Sequence, residues 1–349
     1  MGEPPTVGVE EEFLLVDPDS GEPVAKNEEV ARHAAANGVD LQRELTSCQV
    51  ETATEVLHGR EEVLAEIVRL RRVTAEAAEK AGARLLAVAL PPTVPQTFPI
   101  TDKPRYHRIA AEFGMLAHEQ GISGCHVHVA VPDRDTAVRV CTRLRPWLPL
   151  LLAVSANSAI YRNDDTGYAS WRRIQWGRWP SAGPPPHLRS AAEYDAVVAE
   201  MLDAGAIIDD GMIYWDARPS AKFPTVEIRV ADVPATAADT TVLALLVRAA
   251  VMTAMQDLDV RHPISEHRLR AAYWRCARDG VEGGIPPLLT AFVDELRPAL
   301  EAAGDYEYVT EEMTRILRDG NGATRQRRAW RRREDINDVL DECAEATVQ

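Results

Sequence analysis

The sequence predicts an α+β protein in which helices pack on one face of a β-sheet. Segments 7–16, 122–131 and 225–233 have strand character, because they are rich in apolar residues and carry polar side chains at alternate positions. Between them run segments in which apolar residues recur at helical spacing, and the last third of the chain is helical throughout. Strands of this kind bury one face in a core and leave the other face available for chemistry.

The predicted elements follow one another with clear boundary signals. A turn of Asp, Pro, Ser and Gly ends the first strand, and Gly82 ends a helix that starts near Gly59. A helix at 104–120 begins with proline in its first turn and stops before Gly121. The remaining predictions are a short helix or strand extension at 28–37, an extended segment at 41–57, a strand at 84–90, a helix at 134–158 interrupted at Pro146 and Pro149, a strand at 206–215, and helices at 236–259, 265–280, 286–303, 307–319 and 322–346.

Length, charge and cysteine content exclude several classes of protein. The 349 residues can bury a large core, in one big domain or two ordinary ones. The net charge of −15 argues against nucleic acid as the main partner, because phosphate binding needs a basic face. The sequence has no uncharged run of about 18 apolar residues and no secretion signal at its N-terminus, so we expect a cytoplasmic protein without a membrane partner. Five cysteines without a Cys-x-x-Cys pair predict reduced thiols, and the arginine-rich segment 325–333, followed at once by acidic residues, predicts a salt-bridged helix face.

Three consecutive carboxylates, Glu10, Glu11 and Glu12, interrupt the apolar first strand. Because side chains alternate across a strand, Glu10 and Glu12 share one face, roughly 7 Å apart, and Glu11 projects from the other. Two like charges in a poorly hydrated site are costly unless cations neutralise them, and Mg²⁺ or Mn²⁺ is the natural partner for oxygen ligands. The alternative is an acidic strand edge exposed to solvent.

Three other extended segments also carry ligand-type residues. A single histidine on an apolar strand is more often a core residue, but four such strands in one chain indicate a metal and phosphate site. The mixture is rich in oxygen, which favours Mg²⁺ or Mn²⁺ over zinc. In an uninterrupted strand Glu44 and Glu51 would face opposite ways, so either a bulge intervenes or Glu44 is not a ligand. The three sets are Glu44, Gln49 and Glu51; His126 and His128; and Glu227 and Arg229.

Nucleotide phosphates would have to be held without a glycine-rich loop. The sequence contains neither Gly-x-x-x-x-Gly-Lys-Ser/Thr nor Gly-x-Gly-x-x-Gly after a strand. A Mg²⁺ ion with few protein ligands keeps room for substrate phosphates. A nucleotide would therefore be bound by metal ions and by arginines such as Arg229.

The segment 162–186 differs from its surroundings. It contains three tryptophans and four arginines and shows little periodicity. Aperiodic segments of this length inside a compact protein are usually functional, and the aromatic content argues against disorder. We expect a lid or substrate loop, with a purely structural loop as the alternative.

Five motifs occur together in this chain. They are Val9-Glu10-Glu11-Glu12-Phe13, Gln49-Val50-Glu51, Gly124-Cys125-His126-Val127-His128-Val129, Trp215-Asp216-Ala217-Arg218-Pro219-Ser220 and Pro224-Thr225-Val226-Glu227-Ile228-Arg229-Val230-Ala231-Asp232. In combination they closely resemble the carboxylate-amine ligases of the glutamate-cysteine ligase type 2 family, from about residue 6 to about 250. The resemblance implies a glutamine synthetase-like fold: a curved antiparallel sheet whose concave face binds ATP, Mg²⁺ and the substrate carboxylate, with helices on the convex face. It also implies one catalytic domain over 1–349, with a helical C-terminal portion from about 236.

The resemblance further implies a reaction and a role for individual residues. ATP would phosphorylate the γ-carboxylate of glutamate, and the amino group of cysteine would attack the acyl phosphate to give γ-glutamylcysteine. Arg229 matches the arginine that contacts the transferring phosphate, Arg218 lies in a motif of the nucleotide site, and Glu227 is both a catalytic residue and a metal ligand. Positions that match metal ligands are Glu10, Glu12, Glu51, His126 and Glu227, with Glu44 as a further candidate.

Three alternatives remain open at this stage. The same activation chemistry could serve a different acid and amine, since loops rather than strands choose the substrate. A metal-dependent hydrolase would use His126 and His128 and need no nucleotide, and a binding or regulatory protein could keep the scaffold with weak turnover. The resemblance allows a homodimer that acts on small-molecule substrates.

Overall fold

The computed structural model describes residues 3–95, 97–259 and 263–349. Its strands are β1 (Val7–Val16), β2 (Gln42–Arg43), β3 (Gln49–Ala53), β4 (Arg84–Leu86), β5 (Gly124–Ala130), β6 (Ile160–Tyr161), β7 (Asp164–Asp165), β8 (Ala217–Pro219) and β9 (Thr225–Asp232). Its helices are α1 (Asn27–Ala35), α2 (Arg60–Lys80), α3 (Pro104–Phe113), α4 (Met115–His118), α5 (Arg134–Leu144), α6 (Leu148–Ser155), α7 (Trp171–Trp176), α8 (Ala191–Asp203), α9 (Ala237–Gln256), α10 (Glu266–Asp279), α11 (Pro286–Ala303), α12 (Tyr306–Asp319), α13 (Gly322–Arg333) and α14 (Ile336–Thr347).

An antiparallel sheet in the order β2-β3-β1-β5-β9-β8 organises the molecule, and β4 pairs with the far end of β1. The register of the central strands decides which polar side chains become neighbours. Residues directly opposite each other on antiparallel strands have Cβ atoms roughly 5 Å apart. The facing pairs are Glu12 with Glu51, Glu10 with His126, and His128 with Glu227.

The apolar face of the sheet forms the main core with the helices. Val127 and Val129 of β5 and Ile228 of β9 are buried against α5, α6 and α9. Helix α9 is long and apolar enough to cross a membrane by length and composition, but 78% of its most apolar window is buried inside the protein. It packs against α2, α11 and α12, so it serves here as a core helix.

Glu11 lies on the helix-covered face of β1, as the strand alternation predicts. Its carboxylate accepts hydrogen bonds from Arg71 of α2, with Nη2–Oε1 and Nε–Oε2 distances of 2.6 and 3.0 Å, and from the Thr240 hydroxyl at 2.7 Å. Glu11 and Arg71 are 2% and 1% exposed. Arg71 also donates to the carbonyls of Pro234 and Ala235, so the pair joins β1, α2 and the start of α9.

The helical expectations for the second half of the chain are confirmed, with two interruptions. The predicted helix at 134–158 is divided at Pro146, which lacks an N–H, while Pro149 fits in the first turn of α6. The predicted helix at 322–346 is divided at Glu334, which adopts a left-handed conformation at φ 54°. The arginine-rich segment forms α13, where Arg327 and Arg333 pair with Asp165 and Asp338, which confirms the salt-bridged helix face.

Four other predictions need correction. The strand expected at 206–215 is wrong, because this segment turns and forms a short 3₁₀ helix at Asp210–Met212, and the strand is β8 instead. The helix expected at 104–120 breaks at Gly114, and the strand expected at 84–90 ends at Leu86. The extended segment at 41–57 is not one strand but the antiparallel pair β2 and β3.

Candidate active site

The polar face of the sheet lines a cavity of about 1010 Å³. All of the residues that the sequence selects as a site line this one cavity, and no described member of the set lies elsewhere. They are Glu10, Glu12, Glu51, His126, Arg218, Glu227 and Arg229, together with Glu44 and His128. Side chains from β1, β3, β5, β8 and β9 therefore converge, as the alternation pattern predicts.

Ligand-type atoms in this cavity form three overlapping groups. Within each group one oxygen or nitrogen atom from each of three residues lies within 4.8 Å of the others. Five carboxylates and two imidazoles make up the groups, which is a donor set that suits Mg²⁺ or Mn²⁺. The groups are Glu10 with Glu51 and His126; Glu10 with His128 and Glu227; and Glu12 with Glu44 and Glu51.

Three of the carboxylates repel one another in a poorly hydrated place. Burial and the neighbouring charge of Glu44 raise the pKa of Glu12 to about 8. Burial, followed by the charges of Glu44, Glu10 and Glu12, raises the pKa of Glu51 well above its ordinary value, and burial likewise raises the pKa of Glu44. Cations among these groups would remove the repulsion, so the donor set fits divalent metal ions.

Glu10 and the two histidines form the centre of the cluster. Glu10 Oε2 lies 3.1 Å from His126 Nδ1, and Glu10 Oε1 lies 3.4 Å from His128 Nε2. Burial raises the pKa of Glu10, but hydrogen bonds and charge attraction from the histidines outweigh it and leave the pKa below its ordinary value. Burial, helped by the charge of Arg229, lowers the pKa of His126 to about 4, so its imidazole is neutral at pH 7, as metal coordination requires.

Glu227 is held between two arginines. Arg218 binds it in a bidentate manner, with Nε–Oε2 and Nη2–Oε1 distances of 2.8 and 3.1 Å, and Arg229 contacts Oε1 from the same strand. Burial raises the pKa of Glu227, but the charges of Arg229 and Arg218 outweigh it and hold the pKa below its ordinary range. Arg229 Nη1 also lies 3.4 Å from His126 Nδ1, which places this guanidinium beside the cluster.

Glu44 joins the cluster because the chain is not extended between Glu44 and Glu51. β2 ends at Arg43, a turn occupies 44–48, and β3 starts at Gln49. The assumption of an uninterrupted strand, which would send the two carboxylates to opposite faces, is therefore wrong. The side chain lies close enough to Glu12 and Glu51 to share a cation with them.

The segment 162–186 forms part of the cavity wall rather than an irregular loop. Ser170 accepts a hydrogen bond from the backbone N–H of Arg173 and starts helix α7. Arg172, Trp176 and Trp179 line the cavity, and Arg172 and Trp179 are buried. Its lining residues agree with the expected substrate contact, and its close packing agrees equally with a structural role.

Aromatic residues at the two ends of the cavity were not identified from the sequence pattern. Near Glu44, the ring of Tyr214 lies 4.8 Å from that of Trp176 and 5.5 Å from that of Trp179. At the other end, Phe223 is 61% exposed, and its ring meets that of His128 edge-on at 6.5 Å. Tyr214 lies in the segment wrongly predicted as a strand, and Phe223 in the β8–β9 turn carries no periodic signal.

Comparisons with known proteins agree with this geometry. The sequence model of the Glutamate-cysteine ligase family 2 (GCS2) matches residues 6–342 of this chain. The chain is 61% identical to "Putative glutamate--cysteine ligase 2-2" of Mycobacterium sp. (strain KMS), and 60% identical to "Putative glutamate--cysteine ligase 2-3" of Mycolicibacterium smegmatis. Both alignments cover 100% of this chain and 100% of the relative.

Two solved structures share the fold at low sequence identity. The glutamate-cysteine ligase of Francisella tularensis, solved in complex with AMP, has a TM-score of 0.69 at 14% identity, over 99% of this chain and 89% of that one. A bifunctional glutathione synthetase from Pasteurella multocida has a TM-score of 0.72 at 15% identity, over 98% of this chain. The chain spans about half of that longer protein, 53% of its length. The α+β fold, an antiparallel sheet with helices packed on one face, is thus the fold of these two structures, and the chain belongs to the glutamate-cysteine ligase family 2.

Proposed function

We propose that the protein is an ATP-dependent carboxylate-amine ligase that joins glutamate to cysteine through an acyl phosphate. The observation that carries the proposal is the convergence of five carboxylates, two imidazoles and the Arg218–Glu227–Arg229 group in one cavity. A site this acidic needs cations, and a nucleotide with bound Mg²⁺ brings both cations and the phosphoryl group to be transferred.

The chemistry assigned to the site forms one bond at a time. A γ-carboxylate oxygen of glutamate attacks the γ-phosphorus of ATP, and ADP leaves. The amino group of cysteine then attacks the acyl carbon, the phosphate leaves, and an amide bond results. Divalent ions, when bound, would neutralise charge on the phosphates and the leaving group.

The chain's own residues would bind and orient the reactants. Arg229 lies beside His126 with a side chain that is 11% exposed, and its guanidinium lines the cavity, where charge shifts during phosphoryl transfer. Glu227 fixes that guanidinium and receives a second one from Arg218, so neither arginine has to be ordered when substrate arrives. Neutral His126 and the carboxylates of Glu10, Glu12 and Glu51 would hold the ions.

The comparisons support the nucleotide and the substrates by analogy. The curated relatives carry the name glutamate-cysteine ligase, and the Francisella enzyme of that name was solved with AMP. The cavity of about 1010 Å³ is large enough for a nucleotide and a small substrate together.

The test is ADP and phosphate release from the purified protein with ATP and Mg²⁺. Glutamate and cysteine are supplied together, singly and not at all, and the product is identified by mass spectrometry. We expect γ-glutamylcysteine, with one ADP per product, only in the complete mixture. ADP formation with another acid or amine but not with this pair would support the ligase chemistry and exclude these substrates, and metal-dependent hydrolysis of a substrate without nucleotide would indicate a hydrolase.

A further inference from the structure

A second concave surface lies between helices α6, α10 and α11 and shares no lining residue with the active-site cavity. It is a groove of about 260 Å³. Pro149 and Leu150 of α6 line it, together with Cys276 of α10 and Phe292 of α11, whose side chains are 3% and 2% exposed. An apolar groove at the surface is a place where another molecule can bury apolar side chains.

Helix α11 presents an apolar ridge to solvent along the same groove. Leu288 is 48% exposed, and Ala291, which is also exposed, lies one turn further on the same side of the helix. A single exposed leucine is ordinary on a protein surface, but both of these residues line the groove. The face therefore offers an apolar projection beside an apolar depression, and a second face of the same kind can fill the depression with its projection.

The two ends of the groove carry opposite charges. Arg275 lies at the end where α11 starts, because a Cβ atom at Gly284 would come within 2.2 Å of Arg275 Nη2. Glu295 lines the groove about 15 Å further along the helix than Ile285, at 1.5 Å per residue. Among the ion pairs that the described part of the chain forms, Arg275 contacts Asp279 at 3.6 Å and Glu295 takes no part. Both ends therefore have charge left to pair with another molecule.

The helices on either side of the groove extend this polarity. Helix α10 carries four arginines and two acidic residues, whereas α11 carries three acidic residues and one arginine. The arginines of α10 are all exposed, and so are the acidic residues of α11. A basic helix beside an acidic one is complementary in charge to a copy of the same pair turned through 180°. The polarity matters in a chain with a net charge of −15, since a uniformly acidic face would repel a copy of itself.

We propose that this face binds a second copy of the chain, with the two α11 helices antiparallel across a two-fold axis. Such an axis brings the same patch of both copies together, so Arg275 of one copy faces Glu295 of the other, and the reverse. The axis would cross α11 midway along the groove, next to Ala291, whose small side chain lets the two helices approach closely. Leu288 of each copy then enters the groove of the other.

The size of the face sets the strength of the association. Helix α11 has 18 residues and is about 27 Å long, so two helices side by side cover roughly 27 by 20 Å. That is near the lower limit of about 600 Å² per partner for specific interfaces, which predicts a dimer that dissociates on dilution. The inference does not depend on the proposed function, since none of the residues of the groove lines the active-site cavity.

The experiment measures the dissociation constant of the dimer by sedimentation equilibrium, with the purified chain at roughly 1 to 100 μM and low salt. Arg275→Glu and Glu295→Arg each place like charges opposite one another, and we expect each to raise the dissociation constant at least about tenfold. The double variant restores opposite charges, so its dissociation constant should return to within about threefold of the wild-type value. Trp147 donates its Nε1–H to Glu295 at 3.1 Å and loses this acceptor in Glu295→Arg and in the double variant alike, so recovery isolates the charge pairing.

Two exposed leucines provide a matched pair of variants. Leu288→Glu buries a charge in the proposed interface and should leave the chain monomeric over the same concentrations. Leu202→Glu on α8 changes a leucine of similar exposure, 41%, and should leave the dissociation constant unchanged. Circular dichroism and the Tm of each variant establish that it is folded before it is compared.

Each outcome decides for or against the proposal. A wild-type chain that is monomeric at about 100 μM overturns it. A dimer that Leu288→Glu and both charge variants leave intact also overturns it, because the interface then lies elsewhere. Weakening by both single charge variants without recovery in the double variant excludes the antiparallel pairing. If Leu288→Glu does not fold, the two charge variants and their combination decide alone.

Discussion

Glu11 and Glu12 are neighbours in the chain, but we expect different effects when each is changed to glutamine: Glu11→Gln should lower the free energy of unfolding, and Glu12→Gln should weaken the response to Mg²⁺. The Glu11 carboxylate accepts two hydrogen bonds from Arg71 and one from Thr240, in a region that is 2% exposed or less. Removing its charge leaves a buried guanidinium without its counter-ion. Breaking a buried ion pair in this way costs about 3–5 kcal/mol of unfolding free energy. Arg71 keeps the carbonyls of Pro234 and Ala235 as acceptors, so we expect about 3 kcal/mol.

Glu12 faces the cavity, and its removal should barely affect stability. Burial and Glu44 raise the pKa of Glu12 to about 8, so in the absence of metal this carboxyl is largely protonated at pH 7. A glutamine amide of similar shape can still accept the hydrogen bond from the Gly124 N–H. We expect Glu12→Gln to change the unfolding free energy by less than about 1 kcal/mol at pH 7, because one neutral group replaces another.

The assay is urea unfolding of both variants in EDTA, followed by the shift in Tm on adding Mg²⁺. Glu11→Gln should unfold at lower urea concentration yet keep the Mg²⁺-induced shift, and Glu12→Gln should keep the urea midpoint and lose much of that shift. Equal destabilisation by the two variants, or an unchanged midpoint for Glu11→Gln, would refute the assignment of the two carboxylates to opposite faces of β1.

Four further predictions concern the cluster. Glu227→Gln should fold but form ADP at least about 100-fold more slowly with Mg²⁺, because two arginines lose their shared carboxylate and a charged ligand is removed. Steady-state rates of ADP formation test this, with the surface variant Glu282→Gln as the control. Wild-type rates in Glu227→Gln would show that Glu227 does not belong to the site. Mg²⁺ competes with a proton on Glu12, whose pKa is raised from 4.5 to about 8. In calorimetric titrations the affinity for Mg²⁺ should therefore rise by up to about tenfold per pH unit and level off above pH 8. A Mg²⁺ affinity independent of pH between 6 and 8 would contradict this. The pKa of Glu12 is higher in the folded protein than its ordinary value of 4.5, so without metal its contribution to folding stability is complete below pH 4.5 and is lost as the pH rises through 8. We therefore expect the Tm shift caused by Mg²⁺ to be larger at pH 8.5 than at pH 6. Glu44→Gln should also weaken Mg²⁺ binding, measured by the same titration at pH 8, and an unchanged affinity would exclude Glu44 as a ligand.

Local patterns predicted which side chains share the polar face of the sheet, because the alternation of side chains along a strand acts over short distances. Side-chain alternation correctly placed Glu10 and Glu12 on one face and Glu11 on the other, and it did the same for His126 with His128 and for Glu227 with Arg229. Alternation failed where the backbone leaves the extended conformation. The turn between β2 and β3 brings Glu44 back beside Glu51, although their separation in sequence indicated opposite faces.

The sequence by itself determined the α+β class, the helical last third, and the polar face of each strand, because these depend on residue order and period alone. The tertiary structure decided which strands are neighbours, and thereby which carboxylates share a cavity, since strand order depends on contacts between residues far apart in the chain. It also decided which charged residues are already neutralised. Arg71 and Arg172 are both buried arginines on helices, so residue type alone does not distinguish them. Arg71 meets Glu11 and the backbone carbonyls, whereas Arg172 meets the cavity, and only the folded arrangement distinguishes a structural ion pair from a guanidinium with donors to spare.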